Sequence, residues 1–233
     1  SDFSFYVTVG LWQAGQNRIF IDCNVQSPAD MLSPGRIGMT AILSVRFTAM
    51  KWYGKGPLET YPDRQCGGRM GVYSEDVRNQ PFYLRPQEYG LHTESRSMRL
   101  TDPDRADFVR FEAACPMAMS AVPYSDLQLW NARHPLELPA PEALYVHLDY
   151  AHRGLGNSSC GPDVLPTCRI DDRPCRFGFA LEAGLGERED NPFGPIPEEI
   201  PAYHPWKAVE EQDGTPSYRD PSDPDQRSNA GMV

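Results

Sequence analysis

Between Ile37 and Phe47 every second residue is apolar. Ile37, Met39, Ala41, Leu43, Val45 and Phe47 fall on one face, and Gly38, Thr40, Ser44 and Arg46 on the other, with Ile42 the exception. A repeat of two is that of a strand with one face buried; a helix would scatter these residues around its circumference. A strand needs partners, and the preceding residues supply them. Phe3, Phe5, Val7, Val9 and Leu11 alternate, as do Ile19, Ile21, Cys23 and Val25, and the turn-forming Ala14-Gly15-Gln16-Asn17 stands between the two runs. That pattern predicts a hairpin. Shorter strands are expected at 95–100, 107–114, 143–150 and 175–181.

The 23 prolines and 19 glycines among 233 residues argue for many turns and against long helices. Residues 54–86 read as loop. One short helix is expected. Ser125 and Gln128 have the spacing of a capping box, Pro135 ends the element, and Leu127 and Trp130 are expected to face the core. These elements predict an all-β protein, a large antiparallel β-sandwich with one short helix. Residues 1–182 are expected to form the domain. Residues 183–233, with eight prolines, eleven acidic and four basic residues, are expected to be an acidic, extended or disordered tail.

The net charge of −10 argues against a nucleic-acid partner, because affinity for phosphate backbones rests on clustered Lys and Arg. No apolar run approaches the roughly 18 residues of a membrane span. The six cysteines are sparse for this length and form no CxxC pair, so the expectation is reduced thiols, no metal site and a cytoplasmic protein. Gly54-Lys55-Gly56 lacks the ending of a phosphate loop and reads as a tight turn leaving a sheet. His147 and His152 are five apart and would face opposite ways along an uninterrupted strand. Trp52, Tyr53, Tyr61, Tyr83 and Trp130 could stack on sugars, although buried core is the commoner use of an aromatic. Glu59 and Glu88 stand in loops. A retaining glycosidase needs two carboxyls roughly 5 Å apart, which spacing along the chain does not reveal.

Four segments in order carry a family likeness. They are WYGKGPLETYPDR from Trp52 to Arg64, YLRPQEYG from Tyr83 to Gly90, Pro123 to Leu127 continuing through Ala132, His134, Glu137 and Leu138, and LDYAHRGLG from Leu148 to Gly156 running on to Ser159, Cys160, Gly161 and Pro162. The pattern WxGxGPxExYPDR followed by RPQExG resembles the C-terminal, small-chain domain of family 2 β-galactosidases. The likeness covers about residues 3–182.

The resemblance implies a supersandwich related to the galactose mutarotases, with N-terminal strands missing from this chain. It implies a domain that is non-catalytic by itself. The two catalytic glutamates lie on an α/β barrel outside this chain, which would be its partner as a large subunit or barrel domain. The whole enzyme hydrolyses terminal β-D-galactosides such as lactose with retention. No cofactor is implied in this chain; any Mg2+ or Na+ of a complete enzyme is held by other domains. One loop lends part of the active-site wall, and it matches Gly156 to Pro162. Asn157, Ser158, Ser159 and Cys160 are thus the expected substrate-binding residues. Some members carry a tryptophan where this chain has Cys160, so the stacking plane is lost and apolar contact is kept. The other motif residues would be architectural: Trp52, Gly54, Gly56, Pro57, Glu59, Tyr61, Pro62, Asp63, Arg64, Arg85, Pro86, Glu88 and Gly90. Gly54 and Gly56 would allow a sharp turn, and Arg64, Arg85 and Glu88 would be buried hydrogen-bonding partners. Two other readings stay open: a stand-alone sugar-binding or mutarotase-like sandwich, and a fragment with no function of its own.

Overall fold

The computed structural model describes residues 6–13, 17–26, 33–81, 83, 88–156, 161–170, 174–186, 207–210 and 216–219. Nine antiparallel strands form one sheet: β1 (Tyr6–Gln13), β2 (Arg18–Gln26), β3 (Arg36–Ser44), β4 (Ala49–Gly56), β5 (Arg69–Asp76), β6 (His92–Thr101), β7 (Phe108–Val122), β8 (Ala143–His152) and β9 (Cys175–Gly184). The order is β1-β2-β9-β7-β6-β4-β5, and β8 with β3 branches off β7.

The branch exists because β7 is long. Its first half, Phe108 to Ala113, pairs with β9, and its second half, Ala118 to Val122, pairs with β8. One strand thus feeds two wings, β9-β2-β1 and β8-β3, and they fold toward each other. Cys23 of β2 and Met39 of β3 are not on paired strands, yet their sulfurs lie 3.3 Å apart. Between the wings sits the main core, with Trp52, Met98, Leu100, Phe111, Leu144, Val146, Leu148 and Phe179 all almost fully buried. Each such side chain contributes on the order of 1.5–3 kcal/mol by leaving water. The protein is an all-β sandwich.

The hairpin forms as the alternation requires, with Val7 opposite Val25, Val9 opposite Cys23 and Leu11 opposite Ile21. Ile21, Cys23 and Val25 are buried, but Val7, Val9 and Leu11 on the edge strand beside them are 56%, 44% and 66% exposed. The β3 alternation also holds, although the strand ends at Ser44. A turn there swings Val45 outward and lets Phe47 reach the core.

Two expectations are corrected. Residues 54–86 are not simply loop: Gly54 and Gly56 lie inside β4, paired with Gly71 and Arg69 of β5. They serve close approach rather than a turn. A Cβ on Gly54 would stand 2.6 Å from the Ser95 hydroxyl, and one on Gly56 would stand 2.6 Å from the Tyr73 ring. The helix α1 (Asp126–Asn131) has the expected capping box, but Leu129 is its buried residue. Leu127 and Trp130 are 67% and 68% exposed. The helix is less than two turns long, so one side chain plus Ala132 just beyond it suffices to seat it.

No helix among the described residues is long and apolar enough to cross a membrane. The five described cysteines, Cys23, Cys66, Cys115, Cys168 and Cys175, are free thiols. Residues 195–233 form a separate unit. Its described part is an antiparallel pair of strands, β10 (Lys207–Glu210) and β11 (Pro216–Arg219).

Candidate functional site

The face of β3 and β8 that turns away from the core is polar in sequence, with Arg36, Gly38 and Thr40 on one strand and His147 and Asp149 on the other. On a two-layer sandwich that face would meet water. Here a further layer covers the β8 side of that face and the adjoining part of β7, while Gly38 and Thr40 of β3 stay exposed. Tyr61 and Leu91 pack on Ala118, and Tyr89 packs with Val122, Leu129 and Ala132. The residues of this layer come from the motif segments around 59–64 and 88–91 and from α1. They are held to one another by backbone and side-chain bonds: Thr60 N–H donates to the Leu91 carbonyl at 2.6 Å, and the Gly90 N–H donates to Glu59 at 2.9 Å.

A bulge brings the second histidine onto the same face. Gly38 pairs with Asp149, but Ile37 pairs with Ala151, so Tyr150 is the extra residue of a bulge in this register. One extra residue reverses the alternation. His152 therefore comes opposite Arg36, on the face of His147 and Asp149, and not on the opposite face as the uninterrupted spacing implies.

The result is a buried charged cluster. Arg36 ion-pairs with Glu88, donates to His147 Nδ1 at 2.6 Å, and lies 3.8 Å from Asp149 and 3.6 Å from Asp126. Tyr61, fully buried, donates its hydroxyl to Glu88 at 3.1 Å and meets the His152 ring edge-on at 5.3 Å. His152 Nε2 lies 3.5 Å from Glu88. Burial disfavours the charged form of His147 and the adjoining Arg36 guanidinium adds to this, so its pKa is lowered to about 4 and the ring is held neutral, with Nδ1 free to accept from Arg36. Burial also opposes the charge on His152, but the Glu88 hydrogen bond and charge outweigh it and raise that pKa. Burial alone would raise Glu88; the hydrogen bond and charge of His152 and the charge of Arg36 bring it below the usual carboxylate range. Asp149 is the loser in this contest. It is fully buried, neither oxygen has a hydrogen-bond partner, and burial pushes its pKa to about 7 despite Arg36. Its carboxyl occupies the space that Gly38 leaves open, where a Cβ would stand 2.2 Å from Oδ1.

The same two segments reach one step further, to the root of the expected loop. Asp63 Oδ1 accepts from the Leu155 N–H at 3.1 Å, and Oδ2 accepts from the Gly156 N–H at 2.6 Å. On the far side of the loop Asp163 accepts from the Val164 N–H at 2.8 Å and pairs with Arg153 at 2.5 Å and Arg169 at 3.1 Å. The two ends meet: Gly156 has φ +61°, and a Cβ on it would stand 2.8 Å from the Val164 side chain.

Asn157, Ser158, Ser159 and Cys160 lie outside the described residues, as do Arg85 and Pro86. Trp52 is buried, donates to the Lys55 carbonyl at 3.0 Å and stacks on His92 at 3.8 Å, so neither Trp52 nor Tyr61 offers a ring to a sugar. Glu59 is taken up by Gly90 and by the Tyr83 hydroxyl at 2.5 Å, and Glu88 by the cluster. Arg64, expected to be buried, is exposed and lies 3.7 Å from Glu59. Pro57 is exposed and Pro62 partly buried, flanking this turn. Among the described residues no group of His, Cys, Asp and Glu is arranged to hold a metal ion. The cluster of Arg36, His147 and Asp149 was not singled out from sequence. Its signal was weak: polar residues alternating with apolar ones in a strand look the same whether water or a further layer lies beyond.

The family model of the β-galactosidase small chain matches residues 7–181, which include every one of these elements. The chain belongs to the β-galactosidase small-chain family. Among its relatives, the β-galactosidase of Staphylococcus xylosus is 30% identical over 156 residues, 66% of this chain and 16% of that protein. The β-galactosidase of Arthrobacter sp. (strain B7) is 34% identical over 164 residues, again 66% and 16%. That of Kluyveromyces lactis is 25% identical over 178 residues, 76% and 17%. This small-chain sequence thus spans about one sixth of the length of the curated relatives it matches.

Proposed function

We propose that this chain is the C-terminal domain or small subunit of a β-galactosidase of glycoside hydrolase family 2. It is non-catalytic alone and lends the loop at residues 154–162 to the active site of an α/β barrel on another part of the enzyme. The whole enzyme would cleave terminal β-D-galactosides such as lactose, in the cytoplasm, with retention. The family match over residues 7–181 carries the reading. Two features of the geometry support it. The most distinctive motif of the chain includes Asp63, its last residue but one, and Asp63 braces the root of that loop. The carboxylates of Glu59 and Glu88 are engaged inside the protein rather than facing one another across a cleft. The exposed apolar row Val7, Val9 and Leu11 also fits a sandwich that continues against further β-structure, as the supersandwich of this family would.

A mutarotase-like reading can draw on the cluster, since Glu88, His147 and His152 now stand together. However, His147 and Asp149 are buried beneath the covering layer, and His147 is occupied by Arg36.

The test is hydrolysis of a chromogenic β-galactoside by the purified chain, alone and mixed with a barrel-bearing large subunit. Activity in the mixture only is the expected result. Activity of the chain alone would refute the claim that the catalytic pair lies elsewhere, and Glu59 and Glu88 would be the first residues to replace. In the active mixture, Cys160→Ala should change KM and leave the urea midpoint of the chain unmoved; unchanged KM would remove Cys160 from the site.

A further inference from the structure

We infer that Asp63 is a positioning residue for substrate binding, acting through the backbone of Leu155 and Gly156; the inference rests on the reading of the loop as part of an active-site wall. Three observations carry it. Both carboxylate oxygens are used, each on a different peptide N–H, at 3.1 Å and 2.6 Å. A carboxylate can accept two such bonds at once, and the charge strengthens both. The contact also requires glycine beside it: a Cβ on Gly154 would stand 2.7 Å from the Asp63 carboxyl carbon. Finally, Asp63 is itself held from below. Tyr61, two residues earlier, is fully buried with its hydroxyl on Glu88, and the Arg64 N–H closes the turn onto the Tyr61 carbonyl at 2.8 Å.

The arrangement therefore links the loop root to the buried cluster through one short, stiff turn. The trailing stem has its own anchor in Asp163, so the loop is pinned at both ends by side chains from different segments. Asp63 touches no reacting atom in this scheme. It fixes where the loop starts, and that sets how well the loop fits a bound galactoside. Small geometric slack in a positioning element costs large factors in binding or rate.

Asp63→Asn is the discriminating change. The side chain keeps its size and one acceptor, but its NH2 group now faces a peptide N–H that needs an acceptor. Asp63→Ala removes both bonds and introduces no mismatch. In the enzyme reconstituted with its large subunit, both variants should raise KM for a chromogenic β-galactoside by roughly tenfold, about 1.4 kcal/mol, with kcat within about twofold. A second readout needs no activity. In the full chain, the Leu155 and Gly156 amide protons, both bonded to Asp63, should exchange slowly with solvent, and Asp63→Ala should speed the exchange of both.

Amides that exchange no faster in Asp63→Ala would overturn the contact. Amides that do exchange faster, combined with an unchanged KM in both variants, would overturn the positioning role. Failure of the underlying reading looks different. Deleting residues 157–160 would then leave KM unchanged, whereas a deletion that raises KM beside an innocuous Asp63→Asn would sink only this inference.

Discussion

Asp149→Asn exchanges a fully buried carboxyl for an uncharged side chain of the same size. In the folded chain the carboxyl titrates at about 7, raised from 3.8 by burial. A folded-state pKa above the unfolded one means that the folded protein holds the extra proton. The stabilisation it brings is fully present below about pH 4, and it is lost as the pH rises to about 7, above which both states are ionised. The difference between the two pKa values is about three units, and each unit is worth about 1.4 kcal/mol. The wild-type chain thus gives up on the order of 4 kcal/mol from this group across that window. The asparagine variant has nothing to ionise and gives up none of it. His147 titrates in the same range, but it is common to both proteins and cancels in the comparison. Urea unfolding of the two chains in parallel, from about pH 4 to about pH 8, measures the gap directly. The variant should be close to wild type at the acid end and gain steadily on it toward neutrality. A gap that stays constant with pH, or that narrows as pH rises, would refute the view that Asp149 is an unsatisfied buried carboxyl.

Gly54→Ala should lower stability by about 1–3 kcal/mol, because the new methyl would stand 2.8 Å from the Ser95 backbone as well as 2.6 Å from its hydroxyl. Gly35→Ala, with nothing within 4 Å of the added carbon, is the control and should leave the urea midpoint where it was. Trp130→Ser should change the stability of the chain by no more than about 0.5 kcal/mol, since the ring is 68% exposed; a larger loss would mean that the ring is packed.

What the sequence revealed followed from how local the information was. The alternation from Ile37 to Leu43 and the paired runs around Val9 and Cys23 each announce a strand with one buried face, and neighbouring residues alone carry that signal. β5 escaped notice because Arg69 to Asp76 mixes glycine, charge and tyrosine with no two-residue repeat, as an edge strand with neither face fully buried can. The phase of α1 was misjudged for a related reason. In a helix of less than two turns, either Leu127 with Trp130 or Leu129 with Ala132 could have been the inner pair, and the surroundings chose the second. The charged cluster was illegible in principle. Arg36, Tyr61, Glu88, Asp126, His147, Asp149 and His152 come from segments far apart in sequence, and only strand pairing and the covering layer bring them together. The loop root was half legible: the family likeness pointed to residues 154–162, but Asp63 lies some ninety residues away in sequence and only the fold brings it to Leu155 and Gly156.

The bulge at Tyr150 has a consequence for how this domain can change in length. In a strand, counting by twos decides which side of the sheet each residue occupies, and a single inserted residue is an odd step. Everything after Tyr150 inherits that step: His152 meets Glu88, and the chain leaves β8 on the side where Asp63 waits. Removing Tyr150 would undo the step, turn His152 toward the apolar interior and launch the loop from the wrong surface. An insertion or deletion of one residue between Asp149 and Gly154 should therefore be far more damaging than the same change at the exposed Cys66 and Gly67, because it acts on direction rather than on reach.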